Sequence, residues 1–210
     1  PDRETYYANM GTADIVFSGD EALGNGLKAV WKLSTFVGMG ATGNGDNSWT
    51  NGNSYIGLNG GFGTALVGKH DTPMKLTSRK YDLFGDQIGD NRNMTSQADG
   101  GAGWDLRPDN VIAYISPTMS GVHGAIAYVS NTAAGASTDK TVDAWSGLVS
   151  YDQGPVSVTA AYERHNLGNA DDADNDESAW RLGASYAAGD FKVVGLYQKT
   201  KDVGGSSDGR

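Results

Sequence analysis

The sequence predicts an all-β chain, an antiparallel up-and-down sheet of about ten strands. Three observations lead there. About ten runs alternate large apolar residues with polar or small ones at period two, and helical periodicity is almost absent. Connections between runs alternate between very short and long, which puts every second turn at the same end of the sheet. Tyrosines recur near the ends of runs, where the aromatic girdles of a membrane barrel lie. Alternation alone also fits a soluble sandwich, whose outer face is likewise solvated.

The first alternation spans 11–18, with Ile15 and Phe17 on one face and Asp14, Val16 and Ser18 on the other. Residues 20–26 read as a turn. Leu27, Ala29, Trp31 and Leu33 then share a face opposite Lys28, Val30 and Lys32, a strand with an apolar side and a basic side. A loop rich in Gly, Asn, Asp and Ser covers 38–52. Two short runs, Tyr55 to Leu58 and Thr64 to Val67, joined through Asn59-Gly60-Gly61, give a hairpin signal. About forty residues without clear alternation follow, and loops that long inside a compact domain are uncommon and usually functional.

Alternation resumes near Asn110. Ile112 and Tyr114 open a strand closed by Ser116-Pro117, and Ile126 and Tyr128 then oppose His123, Ala125 and Ala127. Residues 131–140 are small and polar, a loop tip. Trp145, Val149 and Tyr151 alternate with Ala144, Ser146 and Ser150 up to the turn Asp152-Gln153-Gly154. Val156, Val158, Ala160 and Tyr162 oppose Ser157, Thr159, Ala161 and Glu163. The polar loop 165–178 holds the densest charge run. Trp180, Leu182, Ala184 and Tyr186 oppose Arg181, Gly183 and Ser185, and Phe191, Val193 and Tyr197 follow a Gly189-Asp190 turn. Short turns are thus expected at 20–26, 59–63, 117–121, 152–154 and 188–190, and long connections at 38–52, 71–108, 130–140 and 165–178. The tyrosines near strand ends are Tyr55, Tyr114, Tyr128, Tyr151, Tyr162, Tyr186 and Tyr197.

Composition narrows the class. The 210 residues include 31 glycines, 5 prolines and no cysteine, so turns abound and no disulfide framework exists. A net charge of −9 argues against nucleic acid, whose binders carry a basic stripe. No run of eighteen apolar residues offers a transmembrane helix, but a barrel strand needs only about ten residues of alternating polarity. Pro1-Asp2-Arg3-Glu4 does not open a signal peptide. The loop-like close at 203–210 favours a fragment.

Four blocks carry a family resemblance. GDEALGNGLKAVWKL (19–33), NSYIGLNGGFGTALVGKHDTP (53–73), YDLFGDQIGDNRN (81–93) and RPDNVIAYISPTMSGVHGAIAY (107–128) resemble the general porins of Gram-negative outer membranes. The blocks stand in the family's order, and the resemblance covers most of residues 11–200. It implies a transmembrane β-barrel of roughly sixteen strands, of which this chain supplies about strands two to eleven. It further implies a homotrimer in the bacterial outer membrane, contacts with lipid and lipopolysaccharide, and no cofactor. Residues 1–210 would form part of a single barrel domain, passing small hydrophilic solutes and ions by diffusion. An open ten-stranded sheet leaves two unpaired edges, which lipid does not tolerate, so the working molecule is expected to be longer.

By the same resemblance, 71–108 is the infolded constriction loop. Asp82, Asp86 and Asp90 supply its acidic side, with Asp99 nearby, among Lys75, Arg79, Lys80 and Arg92. Lys28, Lys32, Lys69 and Arg107 match the basic pore wall. Facing charges of opposite sign in a narrow, low-dielectric channel discriminate ions. Two wall positions often basic in the family are Gly52 and Ala113 here, so modest selectivity is expected and its sign stays open.

Other readings are weaker. Gly63 to Lys69 fits GxxxxGK, but His70 stands where Ser or Thr holds magnesium, and the middle of the match is strand-like. Asp172, Asp174 and Asp176 have alternate calcium-loop spacing, but Glu177 replaces the required glycine, leaving at most a loose divalent-cation contact. His70, His123 and His165 are scattered as wall or loop residues. The rival functions are a β-sandwich carbohydrate-binding module and an outer-membrane barrel enzyme.

Overall fold

A computed structural model describes residues 13–37, 49–85, 88–95, 103–130, 143–166 and 176–201. It contains ten strands: β1 (Ala13–Gly24), β2 (Leu27–Val37), β3 (Ser54–Gly60), β4 (Gly63–Lys69), β5 (Val111–Ile115), β6 (Val122–Ser130), β7 (Asp143–Gln153), β8 (Val156–Asn166), β9 (Glu177–Ala188) and β10 (Phe191–Lys201). They form one sheet in chain order, each pairing antiparallel with its sequence neighbours. This is the up-and-down meander the alternation predicts.

Antiparallel partners share a face, so the register sorts the side chains into rows across the sheet. One row runs Trp31, Ile56, Val67, Ile112, Tyr128, Trp145, Arg164 and Ser178. The adjacent row runs Val30, Gly57, Leu66, Ala113, Ala127, Ser146, Glu163 and Ala179. The first face exposes its aromatic and branched residues: Trp145, Ile112, Val149, Trp180 and Tyr186 are all exposed. The second buries small, polar and charged groups, including Ser146, Thr159, Glu163 and Arg181. An exposed apolar face backed by a polar buried one is the inverse of a soluble sandwich, and it suits a barrel whose outside meets hydrocarbon. Lys28 lies on the opposite face from Trp31, as the alternation requires.

The structure corrects several local expectations. Residues 20–24 are strand, not turn: β1 runs to Gly24, with a register shift after Ala22, and only Asn25-Gly26 turn. Their φ values of 51° and 77° make a two-residue turn whose twist matches the flanking strands. β3 likewise continues through Asn59 and Gly60, leaving the turn to Gly61 and Phe62. In the next short connections the turns are Ser120-Gly121, Gly154-Pro155 and Gly189-Asp190. Tyr55 is not part of an outer girdle, because its register with Lys32 and Gly68 puts it on the inward face. Nor is that face uniformly wet. Leu66, Val111, Ala113, Ala127, Val129 and Ala144 form a dry cluster there, with Tyr55 and Ile115 packed against it.

Two helices interrupt the β pattern, α1 (Pro73–Lys80) and α2 (Arg92–Thr95), where the sequence showed no helical period. Eight residues are too few for a periodic stripe, and α1 is specified by its start. Thr72 caps it, accepting from the Lys75 amide, and Pro73 occupies the first turn, where a missing N–H costs nothing.

The facing assignment can be tested by single cysteines, since the chain has none. Val67→Cys, Ile112→Cys and Val149→Cys should react with a membrane-soluble maleimide and resist a charged one, whereas Lys32→Cys should show the opposite preference. Uniform labelling by the charged reagent would refute an apolar outer face.

Candidate functional site: the infolded loop

The connection between β4 and β5 folds back onto the inward face of the sheet, and α1 packs against β6, β7, β8 and β9. Its neck is closed first by backbone. The His70 amide donates to Pro108 O (3.3 Å) and the Thr72 amide to Leu106 O (3.2 Å), so the outgoing and returning limbs run side by side.

Asp71 is the charged centre of that neck. Its buried carboxylate accepts from Arg107 Nε (2.8 Å) and Asn53 Nδ2 (3.3 Å), and it pairs with Lys75 Nζ (3.1 Å). Arg79 Nε stands 3.7 Å away. Burial alone would raise the Asp71 pKa, but Lys75 and Arg107 outweigh it and hold the carboxyl below its ordinary value. For Lys75 burial prevails, aided by the Arg107 charge, and lowers its pKa despite Asp71. His70 is also lowered, chiefly by burial; its ring leans on Tyr55 with centroids 5.3 Å apart.

Beyond the neck, wall residues on three strands hold the loop. Ser146 Oγ accepts from the Met74 amide (3.0 Å). Arg181, with no exposed surface, donates through Nη1 to Met74 O (2.7 Å) and to Asp105 Oδ1 (2.6 Å). Lys80 Nζ reaches Ser150 Oγ (2.6 Å) and Asp152 (2.7 Å), with His123 Nδ1 3.5 Å from the same carboxylate. Tyr81 Oη bonds Thr159 (2.7 Å) and Ser157 (2.9 Å). The Tyr81 ring lies where a Gly183 Cβ would stand, 2.2 Å from it, so only glycine lets the ring lie flat on β9. Met74, Trp104, Ala161 and Ala179 bury the apolar side of the contact.

Between this loop and β2 lies a polar space of about 430 Å³ lined by Lys32, Lys75, Arg79, Arg92 and Arg107, with Asp14, Ser34, Phe36 and Asn53. Arg107 lies over the Phe36 ring, 5.0 Å from its centroid. The structure therefore brings two of the expected wall cations, Lys32 and Arg107, together with three cations of the loop.

The remaining expected residues fall elsewhere. Lys28 pairs with Asp20 (3.0 Å) at the short-turn end, both about half exposed. Lys69 has the outward parity of Val67 and pairs with Asp109 (3.0 Å) at the loop end. Asp82 accepts from the Phe84 amide (2.8 Å) and the Asn91 amide (3.2 Å), tying the loop's own turn. Asp90 is buried and bonds Arg92 Nε (3.0 Å). Asp86 and Asp99 lie outside the described residues, as do Asp172 and Asp174, while Asp176 pairs with Arg164. The two positions lacking a wall cation have a steric account. A Cβ on Gly52 would sit 2.2 Å from Ser34 Oγ, and Ala113 is buried in the dry cluster.

Sequence reading passed over Asp71, Trp104 and Arg181. Arg181 carried a signal: it is a lone charge at an inward position, flanked at the same parity by Ala179 and Gly183. Asp71 had only a local one, Lys75 four residues on, because its other partners Asn53 and Arg107 lie 18 and 36 residues away.

Asp71→Asn should cost about 3–5 kcal/mol of loop anchoring by stranding Lys75 and Arg107 without their counter-charge, and protease cleavage within 71–108 would measure it. A lowered folded-state pKa means the anchoring is complete above the ordinary carboxyl value of about 3.9 and lost as pH falls through the lower folded value. Cleavage should therefore stay unchanged at mildly acidic pH and rise only below about pH 4.

Comparison with known proteins agrees with this architecture. The Gram-negative porin family matches residues 2–210. Outer membrane porin protein 32 of Delftia acidovorans is 32% identical over 203 residues, covering 92% of this chain and 57% of that protein. Major outer membrane protein P.IB of Neisseria meningitidis serogroup B / serotype 15 (strain H44/76) is 33% identical over 156 residues, covering 72% and 43%. The chain thus spans about half the length of the curated relatives it matches. Among solved structures, an anion-selective porin from Comamonas acidovorans superposes with a TM-score of 0.70 at 28% identity, covering 90% of this chain and 57% of that one. Salmonella typhi OmpF, at 19% identity and a TM-score of 0.67 over 96% and 62%, shares the fold. The carbohydrate-binding alternative gains no support from these relatives. An apolar outward face, a polar inward face, a charged loop tied across it and a match over nearly the whole chain lead to one conclusion: this chain belongs to the Gram-negative porin family of the outer membrane.

Proposed function

We propose that the chain forms part of the wall, and the constriction, of a water-filled channel through which small hydrophilic solutes and ions diffuse passively. The observation that carries this reading is the loop tied back onto the inward face, with a cation-lined polar space left between it and β2. In this reading residues 1–210 belong to one barrel domain, and 71–108 is the constriction loop. The channel works as a homotrimer, its outer faces covered by lipid, lipopolysaccharide or a neighbouring protomer. No catalytic step and no cofactor enter it.

The lining favours anions, but modestly. Lys75 and Arg107 share Asp71, and Arg92 is held by Asp90, so much of their charge is answered locally. Lys32 and the half-exposed Arg79, 3.7 Å from the nearest Asp71 oxygen, keep most of their field for the lumen. Lys28 and Lys69 act weakly, at opposite ends of their strands, because each is neutralised by a neighbouring aspartate. The acidic side falls to Asp82, Asp86 and Asp90, which temper the anion preference, and Asp82 also ties the loop's own turn. That one similar structure is described as anion-selective points the same way.

Reversal potentials in planar bilayers under a potassium chloride gradient should show a mild preference for chloride. Lys32→Glu with Arg79→Glu should turn that into a preference for potassium, with channel formation intact. A wild-type protein that forms no channel would sink the reading; a strong cation preference would sink its sign.

A further inference from the structure

We propose that His165 is a positioning residue for the loop: as an imidazolium held between Glu163 and Glu177, it forms a charged seat on which Trp104 clamps the returning limb. His165 Nε2 lies 2.9 Å from Glu163 Oε1 and Nδ1 lies 2.7 Å from Glu177 Oε1. All three side chains are at most 1% exposed. A neutral imidazole has one donor and one acceptor, whereas an ionised carboxylate only accepts. Both carboxylates are therefore satisfied together only when both ring nitrogens donate, which makes the ring a cation.

Trp104 covers that cation. Its ring stacks on the imidazole with centroids 4.6 Å apart and planes 20° from parallel. A positive ring under an indole face is the favourable polarity for such a pair. Trp104 Nε1 finds no hydrogen-bond partner among the described residues, so the face of the ring, not its N–H, makes the contact. The next residue, Asp105, is the one Arg181 binds. Two adjacent loop residues thus meet two wall cations, one through a π face and one through a carboxylate. Neither cation touches the polar space beside β2. The seat sets where the loop lies, while Lys32 and Arg79 set what it prefers.

The functional weight of the seat rests on the loop being the constriction; its protonation does not, so the two readings fail separately. In ¹⁵N-histidine spectra of the folded protein at neutral pH, one of the three histidines should carry protons on both nitrogens, and that signal should vanish in His165→Gln. A neutral His165 tautomer, which would place the shared proton on a glutamate, overturns the proposal without any variant having to fold. A cycle of substitutions reads the charge directly. His165→Gln alone should raise protease cleavage of 71–108 at least about tenfold, because it removes the cation held between two buried carboxylates. In a Glu163→Gln/Glu177→Gln background the same change should have less than about a twofold effect. Equal effects in both backgrounds would reduce His165 to packing and overturn the proposal.

Discussion

Every backbone amide and carbonyl of a segment in hydrocarbon must be paired within the protein, because lipid offers no partner. An antiparallel ladder meets that demand between each neighbouring pair of strands from β1 to β10, leaving only the outer edges of β1 and β10, and it fixes much else. The ladder forces period two on the side chains, so one choice of register turns Trp31, Ile112 and Trp145 one way and Lys32, Ser146 and Arg181 the other. A slip of one residue in any strand would exchange grease for charge across its whole length. The inward face is therefore polar because the outward one has to be apolar.

A polar inward face makes an infolded loop possible. A connection of nearly forty residues laid over that face would expose backbone polar groups and cost heavily in chain entropy unless pinned. Here the pins are charged: Asp71 with Lys75 and Arg107 at the neck and Asp105 with Arg181 at the wall, whose carboxylates are buried, and the partly exposed Lys80 with Asp152 at the end of α1. Buried ion pairs contribute little net stability over apolar packing, but they are severe about geometry, since losing one partner strands the other. That severity suits a segment held in one place on the inward face. Met74 and Trp104, buried against Ala161 and Ala179, supply the non-directional part of the same contact.

The cations that answer buried carboxylates differ from those that face open space. Arg181 is consumed by Asp105, Met74 and Gln198 and contributes structure. Lys32 and Arg79 border the polar space and contribute field. Arg107 does both, closing the neck through Asp71 while lying over Phe36 at the edge of the cavity. Residue type alone does not separate these roles, because an arginine has the same fork of donors in each.

The strands, most of their facing and the order of short and long connections were legible in the chain itself, because each depends on neighbours two residues apart or on a turn. Lys32 opposite Trp31 could be assigned that way. Strand ends were less legible: residues 20–24 and 59–60 contain turn-forming types, yet the ladder extends through them because their partners across the hairpin were already in register. The inward turn of Tyr55 and the seat under Trp104 needed the tertiary structure. Asp71 meets Arg107 across 36 residues and Arg181 meets Asp105 across 76, and no local periodicity encodes contacts so distant. The sequence by itself determined which residues of a strand share a face, since alternation is a property of adjacent residues. Only the folded sheet decided which inward charges hold the loop and which look into the bore, since that depends on what the loop covers when it lies down.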